Sequence, residues 1–381
     1  MNLLALKMLT GDRLKFFGLL FGMAFAAMMI AQQASIFVGL ESQTGSFIRE
    51  LAAVDLWVMD DQVRFSEDSQ PIPETALHRI RGIDGVAWAV PLYKGWLRIR
   101  LQDGTRTAAI IVGVDDATLV GAPAEMVSGS PLDLRRDKAV FIDERDAGTK
   151  LAHRRSGGDP TRTGDRISIN DREVVVSGVY RSSPSFFWDP VLYTTYSRAL
   201  AFTPQERNLM SFVLVKLRAG ADPARVKRLI AERTPYVART GPEFERVTSA
   251  FILKSTGILV NFGMAVGLGF IIGILSTGQT LFNFTLDNLR YMASLKAMGA
   301  GSLCLMGMLA TQVGAMTLLS FGVGVGVAAL TGRFIEGTDL AFKMPWQILA
   351  GTGVAMFAIA MLAGLVSLAK VLRLEPGIVF K

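Results

Sequence analysis

The sequence is short of the residues that carry out most enzyme and metal chemistry. There is one cysteine, Cys304, so no disulfide forms within the chain. It lies inside an apolar run, where a buried small hydrophobic residue is expected rather than a reactive thiol. Only two histidines occur, His78 and His153, without an HExxH neighbour or cysteine partners, which argues against a metal site. No GxxxxGK[ST] is present, so the chain holds no ATP through a P-loop of its own, and no GxSxG surrounds a serine. The adjacent carboxylates Asp60 with Asp61 and Asp115 with Asp116 would point to opposite faces of a strand, and solvated surface charge is the expected reading for both pairs. The chain is therefore read as a non-enzyme with no cofactor.

Charge is missing in a second, patterned way. None occurs from Phe16 to Leu40, between Lys254 and Asp287, between Lys296 and Arg333, or from Met344 to Ala369. Each run is long enough to cross a bilayer, for which about 20 apolar residues suffice. Half of the 381 residues are hydrophobic and the mean hydropathy is +0.37, values of an integral membrane protein. A signal peptide competes for the first run, because Ala24-Phe25-Ala26 resembles a cleavage site. Apolar character continues through Met28 to Ile30 and resumes at Ile36 to Val38, beyond the length of about 7–15 residues usual for a signal core, so an uncleaved helix is expected.

Charge is concentrated elsewhere. Between Glu41 and Ala250 lie 29 basic and 28 acidic residues, and the rest of the chain holds 11 basic and 5 acidic. The basic excess belongs to the membrane flanks, as anionic lipid and topology rules require, so nucleic acid is rejected as a partner. The expected organisation is a lead-in and first span over 1–40, an extracytoplasmic domain over 41–250, a second span over 251–285 and a cytoplasmic segment over 286–301. A third span over 302–331, a short outer loop over 332–344, a fourth span over 345–370 and a cytoplasmic tail over 371–381 follow. Strand-like runs at Val54–Met59, Gly95–Leu101, Ala108–Val114, Ala139–Ile142, Glu173–Tyr180 and Ser211–Leu217, with helical stretches at Glu74–Ile83 and Pro223–Arg233, make the domain α+β. The fold class is an α-helical membrane protein with four transmembrane helices (1+3), an inserted α+β domain and helical stalks. The stalks are read as outward continuations of the first and second spans, from helical rhythm over Gln32–Leu51 and amphipathic character over Glu243–Thr256, so that two helices hold the domain. Gly18 with Gly22, and the glycines at 263, 267, 269, 273, 322, 324 and 326, suggest close helix packing.

Lys7, Arg13, Lys15, Arg290, Lys296, Lys370, Arg373 and Lys381 cluster on the side of the termini, which places the termini and the 286–301 loop in the cytoplasm and the large domain outside it. That loop carries Asp287, Arg290 and Lys296, with Leu286, Leu289 and Ala293 at helical spacing, and is read as a short helix on which a partner could push. No ionisable residue interrupts a span, which argues against an ion channel or proton-coupled carrier. The aromatic loop from Pro184 to Pro190 is open to two readings, an outward contact or a local core plug.

Leu289-Arg290-Tyr291-Met292-Ala293-Ser294-Leu295-Lys296-Ala297-Met298-Gly299, the ending Leu372-Arg373-Leu374-Glu375-Pro376-Gly377-Ile378-Val379-Phe380 and the 1+3 layout resemble the FtsX-like and MacB-like permeases of ABC systems. The lead-in Leu4-Ala5-Leu6-Lys7-Met8-Leu9 is similar to the DevC-like branch. One position departs from the family pattern: Tyr291 stands where an acidic residue often follows the basic one. The resemblance implies a bacterial inner-membrane homodimer that pairs with a separate ABC ATPase subunit, which binds the ATP. It implies that Leu286, Asp287, Leu289, Arg290, Tyr291, Ala293, Leu295 and Lys296 couple to that ATPase. It further implies motion relayed to the outer domain, with a periplasmic adaptor (membrane fusion protein), an outer-membrane channel and membrane lipid as partners. Export of a lipid-like or amphiphilic substrate is the first expectation. Transmembrane activation of an outside partner such as a cell-wall hydrolase, without transport, is the alternative.

Overall fold

The computed structural model describes residues 2–51, 53–68, 70–153, 157–203, 209–288, 291, 294–296, 298–335, 338 and 340–372. The chain separates into two compact units, Met1–Leu40 with Gly257–Lys381, and Glu41–Thr256. Helices among the described residues are α1 (Asn2–Gly11), α2 (Arg13–Thr44), α3 (Ser46–Glu50), α4 (Glu74–Arg81), α5 (Glu144–Ala147), α6 (Tyr196–Phe202), α7 (Pro223–Arg233), α8 (Gly241–Ser255), α9 (Ile258–Asp287), α10 (Ser302–Ile335) and α11 (Trp346–Leu372).

In the first unit, α2, α9, α10 and α11 are each long and apolar enough to cross a membrane. A helix satisfies its own backbone hydrogen bonds, which is what a bilayer core demands. Met23, Ala26, Ala27, Ile30, Met316, Met356 and Ile359 form the packed interior of this unit. Large apolar side chains such as Val260, Met264, Leu268, Ile271 and Leu275 point outward, as lipid-facing residues do. The glycines divide into two sets. A Cβ at Gly324 would collide with the α2 backbone at Ala24, and one at Gly273 would press on Ala26 and Ile359 at 2.9 Å, so these are true contact points. Gly18, Gly263, Gly267, Gly322 and Gly326 meet nothing within 4 Å in the chain. Cys304 is half-buried in the first turn of α10 rather than buried, next to the buried Leu305.

The second unit is built on one sheet of ten strands, β1 (Leu56–Met59), β2 (Val86–Arg100), β3 (Arg106–Val114), β4 (Met126–Ser128), β5 (Ala139–Asp143), β6 (Arg166–Ile169), β7 (Arg172–Tyr180), β8 (Val191–Thr195), β9 (Phe212–Leu217) and β10 (Val237–Thr240). Their order is β10-β1-β9-β2-β3-β8-β5-β7-β4, with β6 pairing β2 and β7. Strand pairs β3 with β8 and β5 with β7 run parallel, the others antiparallel. Alternate residues enter different cores. Leu56, Val58, Val213 and Val215 join one, and Trp57, Met59, Phe212 and Leu214 the other. One face is covered by α4 through Leu77 and Ile80 and by α7 through Val226 and Ile230, the opposite face by α3 through Ile48 and by α8 through Phe244. Burial on both faces explains why β5 and β9 read as near-continuous apolar runs.

Helix α7 begins where Asp222 accepts from the Ala224 N–H at 3.0 Å with Pro223 in the first turn, both standard start signals. Across from it, the Thr240 N–H at the start of α8 donates to Glu243 at 2.8 Å. The expectation of a stalk continuous with the second span is corrected here: α8 stops at Ser255, and Gly257, at φ +66, separates it from α9. A left-handed residue ends a helix because the next amide can no longer reach back to the preceding turn. The carboxylate pairs also lie in turns and not in strands. Asp115 accepts from Thr118, Asp116 from Ser197, Asp60 from the Gln62 N–H, and Asp61 faces Arg239 at 3.6 Å.

Candidate functional site

The last residue of α9, Asp287, emerges from the apolar run, and the chain returns through Tyr291 and Ser294–Lys296, all helical, before α10. The helical turn Ser294–Lys296 is closed by a glycine. Gly299 has φ +99, its N–H donates to the Lys296 carbonyl at 3.1 Å, and the Ala300 N–H donates to Leu295 at 3.0 Å. Those two bonds form a Schellman motif, whose left-handed residue is glycine for steric reasons.

The segment is joined by the beginning of the chain. The Lys15 ammonium, in the first turn of α2, pairs with Asp287 and lies 3.0 Å from Asp12. Asp12 also accepts from the Lys15 N–H at 3.2 Å, which fixes the turn between α1 and α2. Met8, Gly11, Asp12 and Lys15 on one side, with Asp287, Asn288, Tyr291, Ser294, Leu295 and Met298 on the other, enclose a groove of about 510 Å3. Tyr291 and Met298 are 68% and 76% exposed, so the apolar part of the groove is open. Solvated ion pairs add little stability. Their use here is orientation, since a charged rim around apolar side chains can fix how a partner seats.

Of the residues singled out by sequence, Asp287, Tyr291 and Leu295 line the groove, Leu286 is 40% exposed beside it, and Lys296 supplies the carbonyl that ends the helix. Leu289, Arg290 and Ala293 lie outside the described residues, as does the tail from Arg373. Sequence reasoning missed Met8, Gly11, Asp12, Lys15, Asn288, Ser294 and Met298 as groove residues. Lys15 and Asp287 are 272 positions apart, and no local pattern announces such a pairing.

The inserted domain holds a second unusual group. Lys94, on β2, is buried with its side chain 2% exposed, and its ammonium reaches Glu67 at 2.8 Å and Ser66 at 3.2 Å and lies 3.7 Å above the Phe47 ring. Desolvation pulls its pKa below the usual lysine range, against the attraction of Glu67. The aromatic loop packs locally: Phe187 meets Phe65 at 5.7 Å and Trp96 at 5.8 Å. His153 Nε2 lies 3.5 Å from Asp165. Among the described residues no cluster of three metal-ligating side chains exists.

Four helices long and apolar enough to cross a membrane, with a domain inserted after the first, are the layout of a membrane protein. The MacB-like periplasmic core domain matches residues 16–233, and the FtsX-like permease C-terminal matches residues 263–376. The chain belongs to the FtsX-like and MacB-like permeases of ABC transporters. Members of that family are in general non-catalytic transmembrane components, and they imply an ATPase partner.

Among solved structures, the chain is similar to the periplasmic region of MacB from Actinobacillus actinomycetemcomitans, at 13% identity over 52% of this chain and 94% of that one, with a TM-score of 0.39. It is also similar to the extracellular domain of the noncanonic ABC-type transporter YknZ from Gram-positive bacteria, at 16% identity over 49% of this chain and 99% of that one, TM-score 0.34. A domain of a putative permease protein from Porphyromonas gingivalis shares 19% identity over 50% of this chain and 91% of that one, TM-score 0.34. The curated proteins contain no match.

Proposed function

We propose that this permease is driven by a separate ABC ATPase seated on the groove between Met8–Lys15 and Asp287–Met298, and that it relays the motion of that ATPase to its inserted domain. The groove is the observation that carries the reading, because it combines exposed apolar side chains with the Lys15, Asp12 and Asp287 charges at a loop between spans. Burying one large apolar side chain of a partner there is worth about 1.5–3 kcal/mol, enough to anchor a dock. Asp287 lies four positions before Tyr291 in the sequence and lines the same groove, so a carboxylate is still present near the position where the family pattern has one.

The same reading puts the termini and the groove in the cytoplasm of a bacterium, the inserted domain in the periplasm and the chain in the inner membrane as a homodimer. The ATP then resides on the partner, and Leu286, Leu289, Arg290, Ala293 and Lys296 complete the docking face. A mechanotransmission role is supported by the spans themselves, whose buried polar residues in the first unit are Ser35, Thr277, Gln312, Ser320 and Thr352, with no buried charge among the described residues of that unit. The exported substrate is a lipid-like or amphiphilic molecule handed to a periplasmic adaptor and an outer-membrane channel.

Co-expression of the full-length permease with its ATPase tests the site. Leu295→Asp and Met298→Asp are expected to abolish co-purification while the permease stays monodisperse in detergent. ATPase recovered at wild-type stoichiometry with both variants would overturn the assignment.

A further inference from the structure

The hairpin of β2 and β3 carries an unbalanced basic face. Strand alternation puts Trp96, Arg98 and Arg100 on one side of β2, while Leu97, Ile99 and Leu101 turn inward and are buried. Across the hairpin Arg98 pairs with Ala108, and Arg100 stands directly opposite Arg106. Like charges placed directly opposite are destabilising. Among the described residues the ion pair that these arginines make within 4 Å is that of Arg100 with Asp171, at 3.8 Å, and Asp171 is itself 91% exposed.

Two concavities meet on this face. One, of about 860 Å3, includes Trp96, Pro71, Leu209 and Arg98 in its wall, and the other, of about 640 Å3, includes Arg98, Arg100 and Arg106. Arg98, Ala108 and Asn170 border both. The Trp96 ring is held in place by its Nε1 hydrogen bond to Asp189 at 3.0 Å and by the edge of Phe187 at 5.8 Å. The carboxylate bordering the first concavity, Glu67, is already neutralised by Lys94 at 2.8 Å. A mixed half, with an apolar wall of Trp96, Pro71 and Leu209 beside the polar Gln70, Thr203 and Ser211, therefore opens into a half whose net charge is positive. Both volumes fall in the range of about 300–1,000 Å3 typical of small-ligand sites.

We infer that this double concavity binds an anionic amphiphile, its apolar part against Trp96 and its phosphate, sulfate or carboxylate head on Arg98, Arg100 and Arg106. Guanidinium groups suit such heads because their planar fork donates two parallel hydrogen bonds. A compact apolar wall beside the charges favours an amphiphile over an acidic protein segment, which would use the arginines alone. The role as a substrate site rests on the export reading above; the binding itself does not.

The full-length protein in nanodiscs of zwitterionic phosphatidylcholine tests it, with decyl phosphate below its micelle concentration as the probe. Saturable binding is expected. The Arg98→Gln/Arg106→Gln double variant should weaken it by about 10-fold or more with an unchanged melting temperature, as loss of charge-assisted hydrogen bonds predicts. Trp96→Ala should weaken decyl phosphate much more than butyl phosphate. Equal binding by the arginine variant, or inorganic phosphate or a poly-glutamate peptide binding as tightly as decyl phosphate, would overturn the site. Arginine-dependent binding that leaves the ATPase of the reconstituted complex unstimulated would keep the site and sink the export reading. Nanodiscs with anionic lipid separate the two sources of such a head: a lipid in the bilayer would mask decyl phosphate binding, and a free amphiphile would not.

Discussion

The hydroxyl of Thr44, the last residue of α2, lies 2.7 Å from that of Ser249 in α8. Below it Arg49 pairs with Glu245, and the Arg49 guanidinium also donates to the Ser42 carbonyl. Gly45 sits between, where a Cβ would come within 2.5 Å of the Glu245 Cγ. The segments that enter and leave the inserted domain are thus pinned together by three neighbouring contacts within that domain. If the two move as one lever, a flexible Gly-Gly-Ser inserted at Ser42 should leave ATP hydrolysis by the partner intact and abolish export. Full export with the insert would show that motion does not travel along this path.

Acid should loosen the contact between α7 and α8. Lys227 donates to both Glu243 oxygens, at 2.8 and 2.7 Å, and these bonds, with the Thr240 N–H, hold the Glu243 carboxyl down to about 2. In the unfolded chain a glutamate titrates near 4.3. The folded value is the lower one, so the stabilisation is complete above about pH 4.3 and is lost as pH falls through the folded value. The site is partly exposed, and after solvent screening about 1 kcal/mol remains. Glu243→Gln should therefore lower the melting temperature at pH 7, and the gap to wild type should shrink steadily below about pH 4. A gap independent of pH would remove the ion pair as its cause.

The buried pair of Lys94 and Glu67 should behave unlike the surface pairs. With side chains 2% and 8% exposed, each charge is held mainly by the other. Removing one leaves an unpaired buried charge, which typically costs about 3–5 kcal/mol, whereas removing both is far milder. Lys94→Met alone should destabilise strongly, and Lys94→Met/Glu67→Leu should recover most of the loss. Thermal unfolding of the full chain in detergent followed by near-ultraviolet dichroism would measure it. A double variant as weak as the single one would mean that the contact of the ammonium with the Phe47 ring, and not its pairing with Glu67, holds this corner.

What could be read beforehand follows from the range of the forces involved. Pro223–Arg233 is a helix at the bounds read from sequence, because Asp222, Pro223 and the apolar stripe through Val226 and Ile230 are all local. Strand β5 differs from its reading by one residue, since an apolar run buried on both faces needs no partner to be recognised. Strand β2 starts at Val86, well before the expected Gly95, and Pro91 sits within it in register opposite Val213. Strands β6 and β10 were hidden by polar residues such as Ser168, Arg239 and Thr240. The groove was half visible. Its Asp287–Met298 wall stands out between two apolar runs, while its Met8–Lys15 wall is joined only by tertiary packing.

Orientation across the membrane is open to direct measurement. Gly157 and Gly158 form a loop tip with φ of +99 and +81 and nothing within 4 Å of either Cβ position, so a cysteine at 158 would be reachable. Ser294 lines the groove and is half-buried. In a Cys304→Ala background, a membrane-impermeant thiol reagent applied to intact spheroplasts should label a cysteine at 158 and spare one at 294. Lysed membranes should label both. The reverse pattern in intact spheroplasts would place the groove outside and with it the ATPase assignment in error.

The ion pair between Lys15 and Asp287 offers the closest test of how the groove works. Both groups are solvent-exposed, at 38% and 51%, so neither is needed to hold the fold. If they instead set how the α1–α2 turn meets the segment carrying Tyr291 and Leu295, reversing one charge should impair docking without changing the melting temperature. Lys15→Glu sets two carboxylates side by side and should weaken ATPase binding and permease-stimulated hydrolysis several-fold, the order expected when one rim charge of an interface is reversed. Adding Asp287→Lys restores opposite charges in exchanged positions and should recover a large part of the loss. Recovery is the informative result, because a partner that reads Lys15 directly would be repelled just as strongly by the exchanged pair. No recovery would therefore move Lys15 from an orienting contact within the groove to a direct contact with the ATPase.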